Sequence, residues 1–148
     1  MPALVEIKAK NFRSLADVSV QLGALNVLVG PNGAGKSSTL KALMGFVPYE
    51  GTCTVLGDTA GSNAAKARCG YLPEVALYYP FLNPLETLTL YGELQGLRGK
   101  TLKTQALELL ALVGLKDATR KQNRTLSKGM LQRVGIAQSL LGNPEILI

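Results

Sequence analysis

Apolar and polar residues alternate in the first part of the chain. Residues 5–9 and 18–22 both follow a period of two, which is typical of half-buried strands. We therefore predict two strands that pair with each other. Short apolar runs at Leu25–Val29, Thr52–Leu56 and Arg68–Leu72 predict three more strands.

Helical signals dominate the second half of the chain. The sequence Asn83-Pro84-Leu85-Glu86 combines a capping residue, a proline at the first helical position and a glutamate at the third, and it predicts a helix to about Gln95. We expect Thr101 to cap a second helix and Ser127 a third. The inward-facing positions are predicted to be Leu102, Ala106, Leu109, Leu110 and Val113, then Val134, Ala137, Leu140 and Leu141.

These elements predict a single α/β domain over residues 1–148. Its β-sheet core comprises residues 1–72 and 126–148, and residues 73–125 form a helical subdomain inserted between them. One helix, Lys36–Met44, lies within the core and ends at Gly45, a suitable residue to close a helix. Glu145–Ile148 is predicted to begin a buried strand.

The composition restricts the possible functions. The 148 residues include two cysteines and no histidine, which excludes a histidine-based catalytic triad and a cysteine–histidine metal cluster in this chain. No apolar run reaches the roughly 20 residues of a membrane helix, and we expect no signal peptide and a cytoplasmic setting. The net charge of +6 suits an anionic ligand, a membrane surface or nucleic acid, or it only keeps the protein soluble.

A glycine-rich turn follows the third predicted strand and precedes the first helix. It fits the P-loop pattern, whose backbone N–H groups surround phosphates. Lys36 is expected to bridge the β- and γ-phosphates, Ser37 to bind Mg²⁺ and Ser38 to face the α-phosphate. We therefore predict binding of ATP with Mg²⁺. The predicted nucleotide-binding residues are Gly30, Pro31, Asn32, Gly33, Ala34, Gly35, Lys36, Ser37 and Ser38.

A second motif distinguishes among P-loop proteins. It resembles the LSGGQ signature of the ABC ATPase family in its "LSKGM" form, and comprises Leu126, Ser127, Lys128, Gly129 and Met130. In that family the serine acts on the ATP held by a partner domain. The resemblance implies an incomplete ABC-type nucleotide-binding domain that works as a head-to-tail homodimer or with a paired nucleotide-binding domain. The alternative interpretation of Ser127 is an ordinary helix cap.

Between the two motifs, Gly70–Glu74 resembles the "GYLPE" sequence of exporter-type ABC ATPases that serve ABC-2 permeases. The resemblance implies a catalytic and metal-binding role for Glu74, although an exposed glutamate in a turn is the alternative. It further implies that residues 83–99 dock a transmembrane permease. The subunit would then lie on the inner face of the cell membrane, with no nucleic acid as partner.

The first 38 residues of the chain have a different resemblance. Asn11–Leu15 and residues 25–30 look more like the start of RecF- and SMC-like ATPases, and this favours a DNA-repair ATPase as the alternative function. Phe12 is the one aromatic residue before the P-loop, and it either stacks on adenine or packs in the core.

The chain also lacks groups that ABC ATPases use for hydrolysis. In the family, the strand that Glu145–Ile148 begins leads to an aspartate for Mg²⁺, a glutamate for the attacking water and a later histidine. Residues 1–148 contain none of the three. We expect ATPase activity from a complete domain and little or none from these residues alone, so a nucleotide-binding fragment without hydrolysis is the third possibility.

Overall fold

The computed structural model describes residues 5–12, 15–22, 36–74 and 77–148. Two compact units, Met1–Ala67 and Arg68–Ile148, make up the chain. The division into a core of 1–72 and 126–148 and a helical subdomain of 73–125 stays a prediction. Within the described residues, no helix has both the length and the apolar character needed to cross a membrane.

An antiparallel sheet organises the first unit. Its elements are β1 (Val5–Phe12), β2 (Leu15–Leu22), α1 (Lys36–Leu43), β3 (Thr52–Val55), β4 (Asp58–Thr59) and α2 (Asn63–Ala67). The strand order is β2-β1-β3-β4. Ile7 faces Val20 in β2 and Val55 in β3. The predicted pairing of the first two strands is confirmed, whereas the strand predicted at Leu25–Val29 lies outside the described residues.

Helix α1 ends at a glycine, as its sequence predicts. Gly45 has a φ of 70°, and its N–H donates to the carbonyl of Ala42 at 2.9 Å, while the N–H of Phe46 donates to Lys41 at 2.8 Å. These two bonds form a Schellman motif. A Cβ at position 45 would lie 2.7 Å from the Cα of Gly61, so both the backbone conformation and this contact require glycine.

Three helices and a parallel strand pair form the second unit. Its elements are β5 (Cys69–Gly70), α3 (Pro84–Leu94), α4 (Gly99–Leu112), α5 (Lys128–Ser139) and β6 (Ile146–Leu147), with 3₁₀ turns at Lys116–Ala118 and Asn123–Thr125. Cys69 pairs with Ile146 and Gly70 with Leu147. Parallel strands need a long crossover, which the helices supply. The predicted α/β class is confirmed.

An apolar core holds the three helices of the second unit together. Its members come from all three helices and from the turns that join or follow them. They are Leu88, Leu102, Ala106, Leu110, Leu115, Ala118, Leu126, Val134, Ala137 and Leu141. Leu109 and Val113 pack against this core while partly buried, so the apolar face predicted for the second helix is confirmed.

The starts of α3 and α4 differ in how well the sequence predicts them. At α3 the N–H of Glu86 donates to Asn83 Oδ1, and the N–H of Asn83 donates to Glu86 Oε2, both at 2.9 Å. This is the predicted capping box. The predicted cap at Thr101 is wrong, because α4 begins at Gly99 and its N-cap, Arg98, makes no side-chain capping bond.

Packing accounts for the position of α4. Gly92 of α3 is buried, and a Cβ there would lie 2.2 Å from Cδ1 of Leu102. Leu102 is itself 2% exposed, so it occupies the space that this glycine leaves. Burial of apolar side chains outweighs a single capping bond. The contact with α3 therefore sets where α4 lies, and Thr101 falls inside the helix.

Candidate nucleotide-binding site

The P-loop itself, residues 30–35, lies outside the described residues. Helix α1 starts at Lys36, directly after the last glycine of the motif. The predicted succession of glycine turn and helix is therefore confirmed at its helical end. Ser37 and Ser38 follow in the first turn, and both are exposed. Their hydroxyl groups are accessible to a ligand at the N-terminus of the helix.

The charge at the start of α1 favours an anion. No acidic residue stands in its first turn, although carboxylates are the residues that stabilise the positive end of a helix dipole. The first residue is a lysine instead. A first turn with a lysine and without a carboxylate favours a negatively charged group such as a phosphate at the N-terminus of the helix.

Ser127 occupies the N-cap of α5, as predicted. Its backbone is extended, with φ of −67° and ψ of 159°, and its hydroxyl accepts the N–H of Met130 at 3.2 Å. Leu126 is buried in the core, whereas Ser127, Lys128 and Gly129 are exposed. An apolar anchor thus holds an accessible polar turn at the start of the helix.

Contacts along α5 fix its orientation within the second unit. Val134 and Ala137 are fully buried. The guanidinium of Arg133 donates from Nη1 to the carbonyls of Val113 and Gly114, each at 3.3 Å. These carbonyls end α4, where a cation is favourable for the dipole. The signature residues therefore stand on a helix with well-defined neighbours.

The "GYLPE" segment begins inside the parallel strand pair. Gly70 is buried, and a Cβ there would lie 2.0 Å from the carbonyl oxygen of Ser139, so no other residue fits this backbone approach. Pairing continues as Leu72 N–H donates to the carbonyl of Ile148 at 2.8 Å. Glu74 follows with an exposed side chain. The strand thus delivers this carboxylate to the surface.

The predicted site residues fall into the two units. Phe12, the last residue of β1, and the helix that follows the P-loop belong to the first unit. Glu74 and the signature residues belong to the second. The side chains of Phe12 and Lys36 are outside the described part of the structure. The structure therefore describes the P-loop helix and the signature helix each within its own unit.

Sequence reasoning missed two buried polar residues next to the signature. Asn123 and Thr87 are 2% and 1% exposed, and Asn123 Nδ2 donates to Thr87 Oγ1 at 2.9 Å. In the sequence Asn123 stands within a polar run that is typical of a surface turn. Its burial depends on residues 36 positions away, so no local signal could have found it.

Comparison with known proteins decides the family. The family model described as "ABC transporter" matches residues 15–148. The chain belongs to the ABC transporter family. The match includes the P-loop, the signature and most of the first 38 residues, for which a RecF- or SMC-like resemblance was predicted. The resemblance to ABC ATPases stated from the two motifs is confirmed.

Individual relatives agree with this assignment. An uncharacterized ABC transporter ATP-binding protein of Synechocystis is 43% identical over 143 residues, which are 95% of this chain and 40% of the relative. The linearmycin resistance ATP-binding protein LnrL of Bacillus subtilis is 38% identical over 88% of this chain and 43% of its own length. The chain thus spans about two fifths of these relatives.

A solved structure supports the fold. The chain is similar to a structure described as the ATP-binding subunit of an ABC transporter, with a TM-score of 0.79 and 28% sequence identity. The match covers 98% of this chain and 65% of the other. The predicted fold, that of an ABC-type P-loop nucleotide-binding domain, is therefore confirmed for this chain.

Proposed function

We propose that this chain is the nucleotide-binding part of an ABC transporter subunit that binds Mg-ATP and couples its hydrolysis to a separate membrane permease. The start of α5 carries the proposal. A P-loop is common to many nucleotide-binding proteins, whereas the "LSKGM" motif around this serine is characteristic of the ABC family. Ser127 holds that position here and is exposed.

The residues at the two helix starts suit phosphate. The first turns of α1 and α5 contain no acidic residue, and each helix begins with a lysine, Lys36 or Lys128. Helix N-termini without a carboxylate in the first turn are suitable sites for anions. In the proposed function α1 binds the phosphates of its own nucleotide, and α5 approaches the nucleotide of a partner domain in a head-to-tail dimer.

The ligands proposed for Mg²⁺ are Ser37 and Glu74. Mg²⁺ prefers hydroxyl, carboxylate and phosphate oxygens and keeps several waters, and both side chains are exposed and able to supply an oxygen. When bound, the ion neutralises charge on the transferred phosphoryl group. Phe12 is proposed to stack on adenine, and Lys36 and Glu74 are the proposed catalytic residues.

Hydrolysis is proposed for the full-length subunit. Phosphoryl transfer depends on positioned charges around the γ-phosphate and the attacking water. Residues 1–148 contain no histidine, so they do not include a histidine that could contact the γ-phosphate. A polypeptide made of these residues alone would bind nucleotide and turn it over slowly.

Titration with a fluorescent ATP analogue and Mg²⁺ tests the nucleotide site. Lys36→Ala in the full-length protein should raise the dissociation constant about 100-fold, because it removes a charge-assisted bond to phosphate. Lys41→Ala is the matched control, since Lys41 is exposed in the last turn of the same helix. Equal affinity in the two variants would contradict the proposal.

An exposed apolar patch supports a permease as partner. We define the 77–81 patch as Leu77, Tyr79 and Phe81, whose side chains are 85%, 56% and 64% exposed. The rings of Tyr79 and Phe81 lie 5.5 Å apart. Exposed aromatic residues in one short segment are typical of a binding surface. Docking there would place the subunit on the inner face of the membrane.

Tyr78 holds this patch in place from the inside. Its ring packs edge-on against Tyr91 of α3 with 6.2 Å between centroids, and burial raises the pKa of its hydroxyl to about 12. The neighbouring side chains of Leu77 and Tyr79 are left exposed. The patch is therefore presented by a segment anchored on α3.

Co-purification with a transmembrane permease, chosen as a multi-span membrane protein if one is encoded beside this gene, tests the docking. Phe81→Asp should abolish co-purification and leave ATP affinity unchanged, because it places a charge in an apolar interface. Leu112→Asp is the control, since Leu112 on α4 is 73% exposed. Loss of binding in the control, or retention in Phe81→Asp, would contradict the assignment of this surface.

A further inference from the structure

The side chain of Asn123 joins three segments of the second unit. It is 2% exposed and lies in the 3₁₀ turn four residues before Ser127. Its Nδ2 donates to Thr87 Oγ1 of α3 at 2.9 Å and to the carbonyl of Tyr79 at 3.1 Å. One amide therefore bonds both α3 and the segment that carries the 77–81 patch.

Backbone bonds reinforce the same junction. The N–H of Asn123 donates to the carbonyl of Leu82 at 2.8 Å, and the N–H of Arg124 donates to Pro80 at 3.1 Å. The N–H of Leu126 then donates to the carbonyl of Asn123 at 3.1 Å. Hydrogen bonds thus connect residues 79–82 to Asn123, and Asn123 to Leu126, the residue directly before the signature serine.

Thr87 is arranged to accept the bond from Asn123. Its hydroxyl donates its own proton to the carbonyl of Asn83 at 2.8 Å, which leaves an oxygen lone pair for the amide. Asn83 is the N-cap of α3. The amide of Asn123 is thereby connected to the start of α3 as well as to Tyr79.

Packing alone does not explain an asparagine at this position. Asn123 Oδ1 is buried and has no hydrogen-bond partner in the described part of the chain. A buried polar atom without a partner costs stability, and an apolar side chain would avoid that cost. The two directed bonds from Nδ2 are the property that an apolar residue could not supply.

We propose that Asn123 is a positioning residue that sets the place of Ser127 relative to α3 and residues 79–82. The inference rests on the proposed function, since it deepens the role of the signature serine in ATP-dependent dimerisation. Asn123 itself is buried inside the second unit. It acts by holding the turn from which α5 starts.

Thr87→Val provides the most selective test, because valine keeps the shape of threonine and removes the acceptor of the amide. Thr89→Val is the matched control. Thr89 lies on the same helix, and its hydroxyl also bonds the carbonyl four residues earlier, that of Leu85, at 2.8 Å. Both variants lose one such bond, but only Thr87→Val disturbs Asn123. Thr87→Ser keeps the acceptor and should behave as the wild type.

Steady-state ATPase kinetics and hydrogen exchange of the full-length protein give the readouts. We expect Thr87→Val to lower kcat about fivefold, the equivalent of one hydrogen bond, with ATP affinity unchanged. Amide exchange should rise together in residues 79–82 and 126–130. Asn123→Ala also removes the bond to the carbonyl of Tyr79, so its effects should be in the same direction and at least as large. The double variant should be no worse than Asn123→Ala alone, because the bond between Asn123 and Thr87 is already lost there.

Two outcomes would overturn the inference. In the first, Thr87→Val and Thr89→Val have equal kcat and equal exchange. In the second, kcat, ATP affinity and melting temperature fall together in Thr87→Val, as general destabilisation predicts. A wild-type protein that neither binds nor hydrolyses ATP would contradict the proposed function instead, and the exchange of the two segments would still decide whether Asn123 joins them.

Discussion

Helices α3 and α5 begin with the same hydrogen bond and opposite chemistry. Asn83 caps α3 by accepting the N–H of Glu86, and Ser127 caps α5 by accepting the N–H of Met130. In both, the acceptor bonds the third residue of the helix. At that third position α3 has a carboxylate, whereas α5 has the uncharged side chain of Met130.

This difference separates a helix start that is structurally complete from one that is suited to a ligand. Glu86 returns a bond to its own N-cap and places negative charge at the positive end of α3. Helix α5 begins with Lys128 and an exposed glycine, so its first turn keeps its positive potential. The cap hydrogen bond is the same in α3 and α5 and does not distinguish the two helix starts. The charge of the first turn does, because only α3 has an acidic residue there.

The largest expected effect is that of Ser127→Arg on association. In the full-length protein this variant should lose ATP-dependent dimerisation and turnover, because a bulky side chain would occupy the place of the partner's γ-phosphate. Its affinity for ATP as a monomer should change less than about twofold, which is under 0.5 kcal/mol. Light scattering with and without ATP measures the first quantity, and titration the second.

Asn83→Arg provides the matched control for Ser127→Arg. It replaces the cap of the helix that already contains its own acidic residue, so it should lower stability while ATP-dependent dimerisation persists. If Ser127→Arg still dimerises on ATP, α5 is no more a ligand site than α3, and Ser127 is an ordinary cap.

Removal of each cap should have a moderate effect on stability. Asn83→Ala removes the bond that the side chain of residue 83 accepts from the N–H of Glu86 and should cost about 1–2 kcal/mol, although the backbone N–H of residue 83 can still donate to Glu86 Oε2. Ser127→Ala should cost about 0.5–1 kcal/mol. At about 3 °C per kcal/mol, thermal melts resolve the difference. A larger loss for Ser127→Ala in the absence of nucleotide would show that α5 depends more on its cap than α3 does.

The smallest expected effects come from the charge of the first turns. Lys128→Glu should raise the free energy of unfolding by about 0.3–1 kcal/mol, because it places a carboxylate at the positive end of α5. The same change should weaken ATP-dependent dimerisation. Chemical denaturation and light scattering check the two effects.

Glu86→Gln tests the same idea at the other helix. It should lower stability by a similar amount, since the neutral amide retains a bonding oxygen but loses the charge, and dimerisation should stay intact. Loss of stability in Lys128→Glu would mean that its side chain has a structural role, and the contrast between α3 and α5 would not hold.

The sequence by itself determined the helix ends that are formed by residues close to each other in the chain. The capping box of α3, the serine cap of α5 and the glycine end of α1 all rest on bonds between residues at most five positions apart. Two motifs of a few residues each also sufficed to indicate the family. Such features are readable because the residue types themselves form the contact.

Only the tertiary structure decided the rest. Helix α4 begins before Thr101 because Leu102 fills the space beside Gly92, and that space exists only once α3 is in place. Asn123 is buried because Thr87 and the carbonyl of Tyr79, 36 and 44 residues away, meet its amide. A sequence pattern states what a side chain can bond, whereas burial and partners across the chain are set when the helices pack against one another.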